Sequence, residues 1–243
     1  MTHQTPPTIG LIVPPAGDEV PQDAALLYGD RVRFIARSLG IGAVSPTGFN
    51  PVIGQVLDKA RELRDAGAQA ISLMGTSISF YRGAAFTEDL RAAMENATGL
   101  PCTTMSHAIV SALRTLGIQR VAVATSYIDE LNDRLVDYLT AAGFEVTAIR
   151  GLSITGVKEI GEVTPQTLLK LSGSVYAQDP SADGVFISCG GLLTLDVIGP
   201  LETQLGRPAT ASSPAGFWDV VRLAELDPYS TGYGRLFEPA RVG

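Results

Sequence analysis

The chain has little of what most catalytic and nucleic-acid-binding sites are made from. Only two histidines, His3 and His107, occur in 243 residues. That leaves almost nothing for a multi-histidine metal site or a Ser-His-Asp triad. Lysine is as scarce, with Lys59, Lys158 and Lys170 alone, and the net charge of −7 argues against the clustered basic face that nucleic acids need. Two cysteines, Cys102 and Cys189, are too few for a disulfide framework in a chain of this length. No apolar run approaches the roughly 18 residues that span a bilayer, and MTHQTPPTIGLIVPP lacks the basic start and apolar stretch of a secretory signal. No Walker A sequence is present. Gly40-Ile41-Gly42 reads as following a helix and not opening one, which removes a dinucleotide fingerprint, and the carboxylates form no evident acid/base pair. These absences lead to the expectation of a soluble, cytoplasmic protein with reduced thiols and with neither nucleic acid nor membrane as a partner; a monomer is expected, with self-association left open.

What is present is apolar sequence in a regular rhythm. Hydrophobic residues make up 45% of the chain, enough for one large core or two modest ones. Short β-rich runs at 8–15, 68–75, 101–105, 120–126, 145–151, 184–190 and 208–213 alternate with helical patterns, and a shorter run near 41–45 makes an eighth strand. In VIGQVLDKARELRDAG, at 52–67, Ile53, Val56, Leu57, Ala60 and Leu63 recur at helical spacing before Gly67. HAIVSALRTLG, DELNDRLVDYLTAAG and SPAGFWDVVRLAEL read as further helices. Alternation of this kind is the mark of βαβ units around parallel sheets.

The order of these elements repeats. TIGLIVPP aligns with RVAVATSY, setting Pro15 opposite Tyr127; AQAISLMGTS aligns with DGVFISCGG, setting Gly75 opposite Cys189; LPCTTMSHA aligns with RPATASSPA, setting Cys102 opposite Ala209. SLGIGAV aligns more loosely with AAGFEVT. The expectation is an α/β protein of two similar Rossmann-like domains related by a pseudo-two-fold, each with a four-stranded parallel sheet. Residues 1–117 with a returning 214–243 would form the first domain, and 118–213 the second. Ligands of parallel sheets bind beyond the carboxyl ends of the strands, where Pro14, Pro15, Gly75, Thr76, Ser77, Tyr127, Cys189 and Gly190 fall.

Several of these residues suit acid/base chemistry. Cys189 ends an apolar strand beside two glycines whose backbone can approach a ligand closely, although buried cysteines often only fill space. Thr76 and Ser77 offer hydroxyls to a carboxylate or oxyanion, or simply cap a turn. Tyr127 either donates a phenolic hydrogen bond or packs. His107 reads as a residue of a helix start and not as a base.

Together, TIGLIVPPAG, SLMGTSISFYRGAAF, GLPCTTMSHA, RVAVATSYIDELN, ITGV, SCGGLLTLD and SSPAGFWD resemble the arylmalonate decarboxylases of the aspartate/glutamate racemase superfamily, in order from Thr8 to Phe237. The resemblance implies a cleft between two domains, no metal or organic cofactor, and a small dicarboxylate substrate. One carboxylate would leave an α-disubstituted malonate carrying an aryl or alkenyl group, and Cys189 would protonate one face of the enediolate. Thr76, Ser77 and Tyr127 would hold the developing charge, with backbone N–H groups near Ser77, Tyr127, Cys189 and Gly190. The departing group would face an apolar pocket of Pro14, Pro15, Ile41, Val44, Ile78, Val157 and Ile160. Relatives that racemise or isomerise place a second cysteine opposite the first, and here that position is Gly75. A racemase or cis-trans isomerase of a small carboxylic acid, and a non-catalytic small-acid binding protein, remain as rival readings.

Overall fold

The computed structural model describes residues 6–239, and His3 lies outside them. Among the described residues the apolar runs become eight strands. β1 (Thr8–Val13), β2 (Arg33–Ser38), β3 (Ala70–Leu73) and β4 (Cys102–Thr104) form a parallel sheet in the order β2-β1-β3-β4. β5 (Arg120–Thr125), β6 (Glu145–Gly151), β7 (Gly184–Ser188) and β8 (Ala209–Ala211) form another in the order β6-β5-β7-β8. Helices cover both faces of a parallel sheet, so its central strands are apolar throughout; β1, β3 and β7 are buried at every residue.

The helices fill the crossovers. α1 (Asp23–Tyr28) joins β1 to β2; α2 (Pro46–Phe49) and α3 (Val56–Asp65) join β2 to β3; α4 (Thr76–Phe80) and α5 (Ala84–Thr98) join β3 to β4; α6 (Met105–Thr115) follows β4. In the second half, α7 (Asp129–Ala141) joins β5 to β6, α8 (Val157–Gly161) and α9 (Pro165–Tyr176) join β6 to β7, α10 (Leu195–Leu205) joins β7 to β8, and α11 (Ser212–Leu223) follows β8. Caps set some of the starts: Pro165 occupies the first turn of α9 while Thr164 accepts the Thr167 N–H. The helical run expected over 52–67 opens with a tighter 3-10 turn at Ile53–Gln55 before α3, whose stripe of Val56, Ala60 and Leu63 is buried. Gly67, at φ 92°, ends it.

One strand expectation is overturned. The eighth strand is Arg33–Ser38, and the run at 41–45 is a loop with a single antiparallel bridge from Ala43 to Gly156. An edge strand buries little of its surface, so β2 tolerates Arg33 and Arg37 and lacks an apolar run. Gly40-Ile41-Gly42 therefore follows a strand, not a helix. The loose pairing of 38–44 with 141–147 is corrected by the same finding: β2 and β6 hold matching edges, and Arg33 corresponds to Glu145, in step with Thr8 and Arg120.

α6 and α11, each following the last strand of its sheet, pack on one another. α11 also touches β3 and β4 of the first sheet and β7 and β8 of the second, and it is buried from Ser212 to Val221. Among the described residues no helix is long and apolar enough to cross a membrane.

Candidate active site

The carboxyl ends of the strands open onto a cavity of about 440 Å³. Pro14 and Pro15 follow β1 into its wall, Gly75, Thr76, Ser77 and Ile78 enter from the β3–α4 junction, and Cys189 and Gly190 enter from the end of β7. The loop bearing Ile41 and Val44 meets α8, which supplies Val157 and Ile160. The Ala43–Gly156 bridge and a Val44 N–H bond to the Thr155 carbonyl (2.9 Å) tie these two segments together across the halves. Every residue assigned to the site by the sequence thus lines the cavity except Tyr127, which lies behind the wall.

Tyr127 is nevertheless connected to it. Ser188 Oγ donates to the Tyr127 hydroxyl at 3.3 Å; the Thr76 and Ser77 hydroxyls lie close enough to act on its ionisation, while Thr76 Oγ1 itself donates to Met105 Sδ at 2.7 Å. Burial holds the phenol well above its ordinary pKa; an ionised Cys189 would push it further, and the three hydroxyls oppose. It therefore remains a neutral donor. Its ring meets Phe80 edge-on at 6.0 Å, which fixes the plane.

Cys189 is 5% exposed and holds φ at 143°, a backbone setting that side chains rarely adopt. Its N–H donates to Ser212 Oγ at 3.1 Å, and its carbonyl accepts the Leu192 N–H at 3.2 Å. Burial pushes the thiol up; Ser126, the Gly191 N–H, Tyr127 and the Leu192 N–H pull it back, and the net direction is upward. The sulfur is thus a protonated thiol at neutral pH. Ser126 Oγ has no hydrogen-bond partner of ordinary length among the described residues, leaving it available to the sulfur.

Two of the expected backbone donors are already engaged. Besides the Cys189 N–H, the Tyr127 N–H is taken, donating to Thr125 Oγ1 at 3.0 Å. A buried N–H needs an acceptor whether or not a ligand is present, and both find one in a neighbouring hydroxyl. The first-turn N–H groups of α4, around Ser77, have no acceptor within the helix. At Gly190 a Cβ would meet Met105 Sδ at 3.1 Å and the Met74 carbonyl at 3.3 Å, so glycine lets this turn lie against the methionines.

Gly75 and Cys189 stand at matching strand ends, on opposite halves of the cavity wall. The glycine leaves no side chain there; a Cβ would press on Ile78 Cγ2 and lie 3.0 Å from Pro14 Cγ. Cys102 and His107 are absent from the cavity wall. Burial pushes the Cys102 thiol up to about 11, and His107 bonds Thr104 Oγ1 (2.9 Å) and Glu88 Oε2 (3.0 Å). The sequence did not single out Met74, Met105, Phe49, Asp23 or Ser213, all of which line the cavity. Among the described residues no Lys, Arg or His lines it, and no group of three or more His, Cys, Asp or Glu is placed to hold a metal ion.

With this geometry in hand, comparison with known proteins identifies the lineage. A family model described as arylmalonate decarboxylase matches residues 9–237. The arylmalonate decarboxylase of Bordetella bronchiseptica is 52% identical over 239 residues, covering 98% of this chain and 99% of that protein. A solved double mutant of arylmalonate decarboxylase in a liganded form, also 52% identical, superposes with a TM-score of 0.94 and covers 96% of this chain and 99% of that one. The maleate isomerase of Geobacillus stearothermophilus is a more distant relative, 24% identical over 242 residues, 94% of this chain and 96% of its own. The chain belongs to the arylmalonate decarboxylase family.

Proposed function

We propose that this chain is a carboxy-lyase that, without a cofactor, removes one carboxylate from α-disubstituted malonates bearing an aryl or alkenyl group, and that Cys189 protonates one face of the resulting enediolate. The observation that carries this reading is the asymmetry of the cavity: a neutral thiol stands on one rim, and at the matching strand end Gly75 has no side chain. A lone donor delivers hydrogen from one side and yields one enantiomer. The strong sequence identity to an arylmalonate decarboxylase supports the reaction class.

When the C–C bond breaks, its electron pair passes into an enediolate whose two oxygens need donors already in place. Ser77 and Thr76, the latter turning its hydroxyl from Met105 Sδ (2.7 Å), supply them at the wall with backbone N–H groups at Ser77 and Gly190, and Tyr127 backs these hydroxyls from behind. The departing carboxylate faces Pro14, Pro15, Ile41, Val44, Ile78, Val157 and Ile160, where its charge is poorly solvated and its loss as carbon dioxide is favoured. The thiol proton moves to the α-carbon, and the thiolate left behind is reprotonated from water once product departs. The packing of α11 on α6, β3 and β4 supports grouping 214–243 with 1–117 against 118–213.

A racemase or cis-trans isomerase reading draws on the likeness to maleate isomerase, but it requires a second group facing Cys189, and Gly75 supplies none. The test is carbon dioxide release from a panel of aryl and alkenyl malonates, with chiral analysis of the products. The expected result is turnover to one enantiomer, abolished in Cys189→Ala with the circular dichroism spectrum unchanged. Turnover retained by a folded Cys189→Ala protein removes the assigned proton donor. Absence of turnover across the panel, with solvent deuterium entering a chiral monoacid, establishes the isomerase reading instead.

A further inference from the structure

One carboxyl is buried in the cavity wall. Asp23 opens α1 immediately after the largely exposed strap of residues 15–22, lines the cavity, and is 4% exposed. Its Oδ2 accepts the Ser213 hydroxyl at 2.6 Å. Ser213 also lines the cavity and sits in the first turn of α11, next to Ser212, which holds the Cys189 N–H. Asp23 is therefore anchored beside the turn that carries the thiol, although 190 residues separate it from its hydrogen-bond partner.

No opposite charge balances it. Glu19 on the strap and Cys189 are the other titratable groups in the cavity wall, and the nearby charge from the packed helices is Asp196 of α10, of the same sign. With no cation in the wall among the described residues, an ionised Asp23 and a bound dicarboxylate would place three negative charges in one poorly solvated space. Like charges held that close favour protonation of one of them. Burial pushes the Asp23 carboxyl up; the Ser213 hydrogen bond pulls it back, and Asp196 adds to the rise.

We propose that Asp23 is a specificity-determining residue that makes dicarboxylate binding proton-coupled: a dianion occupies the cavity with Asp23 in its neutral, protonated form, and binding takes up one proton from solvent. The monocarboxylate product carries one charge less and is less sensitive to the state of Asp23. The proposal rests on the reading of the cavity as a malonate site, and its test separates the two.

KM for methyl(phenyl)malonate is measured against pH in the parent, Asp23→Asn and Ser213→Ala proteins. Asparagine keeps an acceptor for Ser213 but cannot ionise. Dividing the KM of the parent by that of Asp23→Asn at each pH cancels the ionisation of the substrate itself. The ratio is expected to rise by up to about tenfold per pH unit above the Asp23 transition, as uptake of one proton requires. Ser213→Ala, which removes a bond that favours the carboxylate, is expected to move the rise to higher pH. A purely structural Asp23–Ser213 contact predicts instead a pH-independent ratio and similar behaviour from both variants, and that result overturns the proposal. Calorimetric titration with the same malonate in two buffers of different ionisation enthalpy, in a Cys189→Ala background where decarboxylation does not add its own proton, reads the proton uptake of binding directly. Uptake lost in Asp23→Asn upholds the proposal even if no carbon dioxide is released, in which case the malonate-decarboxylase reading alone fails; uptake unchanged in that variant overturns it.

Discussion

The backbone setting of Cys189 can be weighed by comparing Cys189→Gly with Cys189→Ala. At an ordinary buried position glycine is the weaker of the two. Its unfolded chain has more freedom to lose, about 0.4–1 kcal/mol, and a buried methyl is missing, worth about 0.8 kcal/mol. Together these put alanine ahead by about 1–2 kcal/mol. Cys189, however, is buried at φ 143°, where any residue with a Cβ is strained by about 1–3 kcal/mol and glycine is not. The expected balance runs from glycine about 1 kcal/mol below alanine to about 2 kcal/mol above it. Both variants lack the thiol, so the comparison isolates the backbone. Urea titration gives the difference directly, and thermal melting reads it at about 2–4 °C per kcal/mol for a chain of this size. A glycine variant weaker by a full 2 kcal/mol or so would refute the strain, because that is the outcome at an unstrained site.

Further outcomes follow from Gly75 and from Cys189. Gly75→Cys fits the local backbone, whose φ is −128°, but its Cβ must displace Ile78 and press on Pro14; a loss of about 1–3 kcal/mol in stability is expected from the overpacking. The same variant should racemise an α-aryl propionate on chiral chromatography, and a folded variant with no racemisation counts against facing rims. The pH dependence concerns Cys189, whose thiol burial pushes above its ordinary value of 9.0. A proton donor of this kind keeps kcat level through neutrality and loses it only as pH rises beyond that value. The unfolded thiol ionises first, so stability should also decline from the unfolded pKa upward, seen as a falling urea midpoint in alkaline buffers; a kcat that falls already below pH 8 or so, nearer the pKa of a free thiol, would contradict a buried neutral donor.

The sequence exposed most of the frame because central parallel strands must be apolar on both faces, and β1, β3, β5 and β7 read that way. It concealed β2, since an edge strand with two arginines carries no such signature. The strand-end part of the cavity wall was legible through the repeat, which pairs equivalent strand ends and so pairs Gly75 with Cys189; Ile41, Val44, Ile78, Val157 and Ile160 came only through the family resemblance. Asp23 and Ser213 were not legible, because no local pattern joins residues so far apart in the chain. Nor could spacing reveal that the Tyr127 and Cys189 N–H groups are consumed by Thr125 and Ser212; hydrogen-bond partners supplied by neighbouring hydroxyls appear only in three dimensions.

The shared seating of α6 and α11 has a consequence for how such an enzyme diversifies. Because α11 touches both sheets, the strand ends that carry the hydroxyls and the thiol are keyed to one common strut. The strap at 15–22, the loop around Ile41 and Val44, and the short α8 are lighter pieces laid over that base. On the proposed reading, substitutions in these coverings are expected to change the shape of the accepted substituent while Cys189, Thr76 and Ser77 keep their mutual geometry. On that reading, range and chemistry can be altered separately.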